Sequence, residues 1–554
     1  MIVHLAGKRD GADENRCCFG RRGSCARLGF GLVLLAGWTV LAGAAGVKQK
    51  RVVQQAGTLV QIPLSPMGYQ PQAQDLMLAG SSMLTVDFVD PDHLLVTFGV
   101  RRLMKRDPDN PANDVDRMIG AYLVEVASGK VLARTEWRLH DHSQYLWSLG
   151  HGRFLLRVHD RLTMIAPMDA ANASDPFRQT PLAESDRHVV ALLVSAEDDL
   201  LTVETTKFAM GSGETSQGFS TDPAPVEISF YRLTDKGAGG LVVTAAGTIR
   251  TRTAVMLPIT AAGRLEAVED GRNGWLFNFE EHAGKVDELA GFVTTCGPSA
   301  TLVGHGEFVA FGCHGLNNAV DLAGFNMKGE EMWQTNFLDR VIAPTFAFAP
   351  AAGRFALGRT LVNGDFDSDG SLPASLVTGQ EVRVYQSYNG RLLVHTDCAP
   401  VERAGHNFAL SANGMRLAVV RETMVHHAAT ADYAAYAQKE VVVEIDALPP
   451  LSAEDRAAVK EAEKLAPVDT GARIDLALAR SAGSSAGLAG ASGGLEVGNN
   501  VSDAAQESQP SSTQGQPTLP GTTTVMEGDD VPSSGPRKPP TLYGPDERPQ
   551  KKLR

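Results

Sequence analysis

The string Asp365-Phe-Asp-Ser-Asp-Gly370 places three carboxylates at alternate positions and a glycine at the sixth. That is the first half of a calcium-binding loop, in which hard oxygen ligands recur every second residue and glycine makes the sharp turn. The twelfth position, where a bidentate glutamate would complete the shell, is Leu376. Calcium at Asp365, Asp367 and Asp369 therefore needs an acid from elsewhere, either Glu381 or a neighbouring loop. The competing reading is an acidic, glycine-containing loop insertion. The densest histidine group is His140-Asp141-His142 with His151 and His159. Two histidines one residue apart share a strand face, but no third ligand follows by spacing, and turn polarity explains the same residues. His426 and His427 are adjacent and point to opposite faces of a strand.

Nucleophilic catalysis finds no constellation. No Gly-x-Ser-x-Gly stands in a strand-turn-helix setting, and Gly211-Ser-Gly213 lies in a polar stretch. Trp137, Tyr145 and Trp147 can stack on a sugar, although core packing is the commoner use of such rings. The cysteines offer no Cys-x-x-Cys or Cys/His ligand spacing, so no zinc or haem site is expected. Cys17, Cys18 and Cys25 precede the first apolar run; Cys296, Cys313 and Cys398 follow it. An odd set of three allows one internal disulfide at most, with Cys296 and Cys313 the nearer pair; buried unpaired thiols are the other option.

The elements that would position these residues are short. The chain has 554 residues, 43% hydrophobic and 21% charged, with 56 glycines and 29 prolines. Frequent turns and few long helical patterns favour an all-β class. A formal net charge of -13 argues against a general nucleic-acid binder, which needs a basic surface. Phe408-Ala-Leu-Ser-Ala-Asn-Gly-Met-Arg-Leu-Ala-Val419 reads as strand, polar turn, strand. Looser copies run over Val86–Thr97, Tyr145–Leu156, Val190–Leu201, Leu265–Phe279, Thr301–Ala310 and Phe346–Leu357. A second unit recurs without a gap in Ser128–Thr135, Lys328–Thr335 and Asn389–Thr396, each with glycine at the turn and threonine at the end. Alternating the two units builds about seven four-stranded antiparallel blades.

The first unit resembles the strand-turn-strand half of WD40-like and YVTN-type propeller repeats, and the second resembles the other half of such blades. The resemblance covers residues 84 to 447 and implies a β-propeller, an architecture that hosts enzymes, receptors and scaffolds alike. No Trp-Asp dipeptide closes the blades. Lys328-Gly-Glu-Glu-Met-Trp333 resembles the tryptophan-docking hairpin of quinoprotein dehydrogenases. Ala133 and Val394 replace the tryptophan in the other two copies, which argues against a quinone cofactor.

The resulting organisation is a signal peptide or anchor at 1–46, a lead-in at 47–80, a β-propeller at 81–449, a short helix at 450–467 and a disordered tail at 468–554. Arginines at 16, 21, 22 and 27 before an apolar run that ends in small residues form a secretory pattern, with Ala42-x-Ala44 as a cleavage site. The expected location is periplasmic or extracellular, with membrane contact only if the segment is retained. Leu59–Pro63 in the lead-in offers a strand that can complete the last blade. The expected function is an exported binding or scaffold module for a protein or glycan partner, with no cofactor other than calcium. The alternative is an extracytoplasmic propeller enzyme, hydrolase or lactonase-like, with its site at the central channel.

Overall fold

The structure is a computed structural model. It describes residues 57–475 apart from 72–83, 102–116, 140–143, 159, 169–173, 185–186, 208–225, 238–239, 252–258, 272–273, 315–318, 338–340, 364–373, 403–405 and 428–435. Among the described residues, runs of apolar, β-branched and aromatic residues between turn residues build 27 strands in seven antiparallel sheets, the blades of a propeller.

Blade 1 is β2 (Leu84–Asp90), β3 (His93–Val100), β4 (Arg117–Glu125) and β5 (Val131–Leu139). Blade 2 is β6 (Leu146–Ser148), β7 (Phe154–Val158), β8 (Arg161–Ile165) and β9 (Thr180–Glu184). Blade 3 is β10 (His188–Val194), β11 (Leu200–Thr206), β12 (Val226–Asp235) and β13 (Leu241–Thr251). Blade 4 shows three strands, β14 (Gly263–Glu269), β15 (Gly274–Glu281) and β16 (Val286–Val293). Blade 5 is β17 (Ser299–Gly304), β18 (Glu307–His314), β19 (Ala319–Asn326) and β20 (Glu331–Phe337). Blade 6 is β21 (Val341–Ala349), β22 (Arg354–Val362), β23 (Val377–Gln386) and β24 (Arg391–Cys398).

Blade 7 is composite. β25 (Phe408–Leu410), β26 (Arg416–His427) and β27 (Tyr436–Ala447) take their outer strand from β1 (Gly57–Pro63), paired from Gly57↔Ala447 to Pro63↔Val442. The lead-in thus closes the ring, joining strands nearly 400 positions apart in the chain. A closed ring leaves no blade face open to solvent.

Two recurring units occupy two fixed places. The strand-turn-strand unit is the inner pair of a blade, and the glycine-turn unit is the outer pair, β4–β5, β19–β20 and β23–β24. Leu265–Phe279 departs from this. Thr260 N donates to Gly263 O across a tight turn, and Ile259 bridges Arg264 ahead of β14. That hairpin puts β14 and β15 in the second and third places of blade 4, so the segment expected as an inner pair sits one strand further out. Its apolar pattern is the same in either place, and only pairing distinguishes them.

Cores form between blades. Phe277, Phe292, Phe308 and Phe325 interlock between blades 4 and 5 at centroid separations of 5.1–6.0 Å. Trp333, Phe355 and Tyr385 stack between blades 5 and 6. After blade 7 comes helix α1 (Ala453–Leu465), started by a capping box in which Ser452 and Asp455 each satisfy the other's backbone N–H.

Candidate functional site

Antiparallel order gives the ring two unlike faces. First-to-second and third-to-fourth turns leave from one, here the turn face; second-to-third connections and blade-to-blade links leave from the other, the connection face. The connections 101–116, 207–225 and 363–376 join second to third strands, and 64–83 joins a fourth strand to a first, so all four belong to the connection face. Of comparable length on the turn face is 166–179.

The expected site residues divide between these faces. Asp365, Asp367 and Asp369 lie outside the described residues, in the β22–β23 connection. Glu381, the acid proposed to complete a calcium shell, is already engaged. It is buried on β23, paired with Arg359 and Arg383, and its Oε2 lies 2.6 Å from His395 Nε2. Burial would raise its pKa, but the two guanidiniums and His395 outweigh that and hold it below the usual range. Both guanidiniums also lie over the Phe337 ring of blade 5, at 4.3 and 5.0 Å. The cluster is an inter-blade clamp, and it takes Glu381 out of the set available to calcium.

His140, Asp141, His142 and His159 also lie outside the described residues. The link 140–145 joins β5 to β6 on the connection face, whereas His151 sits in the β6–β7 turn on the turn face, 3.1 Å from Asp235. Topology therefore separates His151 from the other histidines of its sequence cluster. Among the described residues, no three His, Cys, Asp or Glu side chains are grouped to hold a metal. The side chains of His426 and His427 and the residues Gly211–Gly213 are likewise outside the description. Trp137, Tyr145 and Trp147 are buried, at 4%, 1% and 4% exposure, and serve the core rather than a sugar platform. The Tyr145 hydroxyl is fixed 2.6 Å from Thr97 Oγ1, with Arg117 over its ring.

Cys296 and Cys313 form a disulfide, joining the blade 4–5 link to the end of β18 on the connection face. Cys398 is free and buried, and burial pushes its thiol pKa up, which makes it unreactive. Trp333 docks much as its hairpin suggested. Its ring lies against Gly390 of the next blade, and its indole N–H donates 2.5 Å to Ser387 O. The same place is taken by Leu289 against Gly329 and by Ile62 against Gly129. The repeated glycine is thus a contact point between blades, at positive φ in all three copies, with no room for a Cβ at Gly329 and Gly390 and ordinary contact at Gly129.

One cleft on the turn face was not foreseen. It is a narrow cleft between α1 and blades 5 and 6, with Glu307, His305, Ser387 and Tyr388 on the blade side and Val459 and Ala462 on the helix side. Burial raises the Glu307 pKa to about 7, against the opposing effects of the Ser387 hydroxyl and His305. Ser387 donates its proton to Gly353 O at 2.8 Å, so the hydroxyl is not held as a nucleophile on a base. His305 Nδ1 is 3.3 Å from Glu197 of blade 3, and that hydrogen bond raises the imidazole pKa. No periodicity signals this cleft, because its parts come from two blades and the C-terminal helix.

No family model matches the sequence, and no curated protein matches it. Several solved structures match the chain at low similarity. A prolyl endopeptidase matches at 11% identity over 66% of this chain and 54% of that one, with a TM-score of 0.29. The acylaminoacyl peptidase of Pyrococcus horikoshii matches at 8% over 66% and 52%, with a TM-score of 0.34. The C-terminal WD40 domain of Sif2 matches at 11% over 72% of this chain and all of that one, with a TM-score of 0.28. The chain spans about half the length of the two peptidases.

Proposed function

We propose that the protein is an exported β-propeller that binds a protein or glycan partner through its connection face. The observation that carries this reading is the asymmetry of the ring. The turn face is overlaid by α1, while the connections 64–83, 101–116, 207–225 and 363–376 leave from the opposite side. Variable loops on a rigid scaffold are the usual means of recognition. The Cys296–Cys313 bond supports an oxidising compartment, and with it the export signal read in residues 1–46. The enzyme alternative finds less support, since Ser387, the hydroxyl in the described cleft, is committed to a carbonyl.

The test is a binding screen against glycan arrays and extract from the native source. The full chain is compared with variants in which 102–116 or 208–225 is replaced by a short Gly-Ser linker. Binding by the parent that is lost in a loop variant supports the reading. Binding that survives every loop replacement, or a parent that binds neither glycan nor protein, overturns it.

A further inference from the structure

The C-terminal segment does more than follow the propeller. It leaves blade 7 on the turn face and is held at successive points by other blades. Arg354 of blade 6 donates to Pro449 O at 2.7 Å. Asp455 on α1 is fully buried and receives both Arg391 Nη2 contacts at 3.0 Å and the Tyr388 hydroxyl at 3.2 Å. Gly306 of blade 5 comes so close to the helix end that a Cβ there would lie 2.5 Å from Ala462 O. Residues 468–475, expected from composition to begin a disordered tail, continue to blade 3. Asp469 pairs with Arg232 at 2.8 Å, Ile474 N donates to Ala246 O at 3.0 Å, and the Ile474 side chain joins the core beside Phe230 and Ile259. The strap therefore crosses from blade 7 to blade 3 over the turn face, where the Arg232 contacts and the buried Ile474 anchor its far end.

Beneath the middle of this strap lies Glu307. The residue is 4% exposed and lines the cleft whose other wall is Val459 and Ala462 of α1. The Ser387 hydroxyl beside it is bonded to Gly353 O, and what it and His305 offer the carboxylate offsets burial only in part. We propose that α1 and the strap form a latch that is docked while Glu307 is protonated and loosened when it ionises. An ionised Glu307 would be buried against two apolar helix side chains, Val459 and Ala462, beside a hydroxyl already bonded to Gly353 O. His305 offsets only part of that cost, and the surrounding charges are already engaged. His305 is engaged by Glu197, Arg391 by Asp455, and from the helix Glu461 pairs with Lys328 and Lys464 while Glu463 adds further negative potential at His305.

The sign follows from the raised pKa. The Glu307 contribution is most favourable below the ordinary carboxylate range, where the group is neutral whether the helix is docked or free. It weakens as pH rises, because the free state ionises first, and levels off above about 7, where both states are ionised. The latch lies on the face opposite the proposed binding loops, so the two readings stand or fall separately.

The experiment is hydrogen exchange on the full chain from about pH 5 to pH 8, with protection factors corrected for intrinsic rates. Amides of residues 457–465 should lose protection by up to about tenfold per pH unit between about pH 5 and pH 7, while those of β22 and β23 hold. Glu307→Gln, which stays neutral, should flatten the profile. Val459→Ala should lower protection at every pH and keep the slope. Helix protection that does not change with pH in the parent overturns the proposal, as does a slope that persists in Glu307→Gln.

Discussion

At the residue scale, those candidate groups that the structure describes are structural: Trp137, Tyr145 and Trp147 are buried in the core, and Glu381 is held by arginines. Glu381 is the clearest case. It holds Arg359 and Arg383 against Phe337, and removing it would leave two guanidiniums without their carboxylate in the blade 5–6 interface. Glu381→Ala is expected to cost about 3–5 kcal/mol, read as a lower urea midpoint at unchanged slope. The disulfide acts through the unfolded chain. It closes a separation of 17 residues, so Cys296→Ser with Cys313→Ser should cost about 3 kcal/mol, and a reductant should lower the melting temperature of the parent but not of the double variant. The buried Cys398 thiol should react with a maleimide only on unfolding.

At the scale of elements, the outer hairpins and α1 show how the parts are joined. Gly390 stands at φ 62, with Trp333 ring atoms 2.5 Å from where a Cβ would be. Gly390→Ala should cost more than about 1 kcal/mol and quench the packing of Trp333, visible as a red shift of its fluorescence. Gly284, also at positive φ but with open space around it, should tolerate alanine better and isolates the backbone contribution. The capping box of α1 gives the latch an acid limit as well. Burial alone would raise the Asp455 pKa, but its hydrogen bonds from Ser452 and the Arg391 guanidinium lower it overall. A depressed pKa contributes stability above the ordinary carboxylate range that is lost as pH falls through the folded value. Helix docking should therefore fail in strong acid too, and Asp455→Asn should weaken it even near neutrality, measured by the same amide exchange.

At the scale of the whole molecule, stability depends on closing a ring whose two ends are far apart in the chain. β1 supplies the outer strand of blade 7, and Leu64, Ile62 and Tyr69 enter the core shared by blades 7 and 1. A chain that begins at residue 84 leaves β27 without its partner and that core open. It should lose cooperative unfolding or associate through the free edge, seen by sedimentation and calorimetry. Truncation after residue 450 keeps the ring closed but removes the strap. It should leave the far-ultraviolet β signal in place while exposing Glu307 and returning it toward the ordinary carboxylate range.

What the amino-acid sequence by itself determined is the local alphabet. Alternating apolar residues, turn glycines such as Gly129, Gly329 and Gly390, and the Ser452 cap are short-range signals, and each implies its element without reference to the rest of the chain. Seven blades and a closing strand at Leu59–Pro63 follow from repeating them. Only the tertiary structure decided which pair of strands Leu265–Phe279 forms, because pairing depends on neighbours that a single strand pattern does not encode. It also decided that Glu381 belongs to arginines and that Ile474 anchors a strap across the ring. The Glu307 cleft could not be read from the chain at all. Residues 305–307, 387–388 and 459–462 meet there because the ring brings blades 5 and 6 together and returns the C-terminus over them, so its electrostatics arise from burial, a property of the assembled fold.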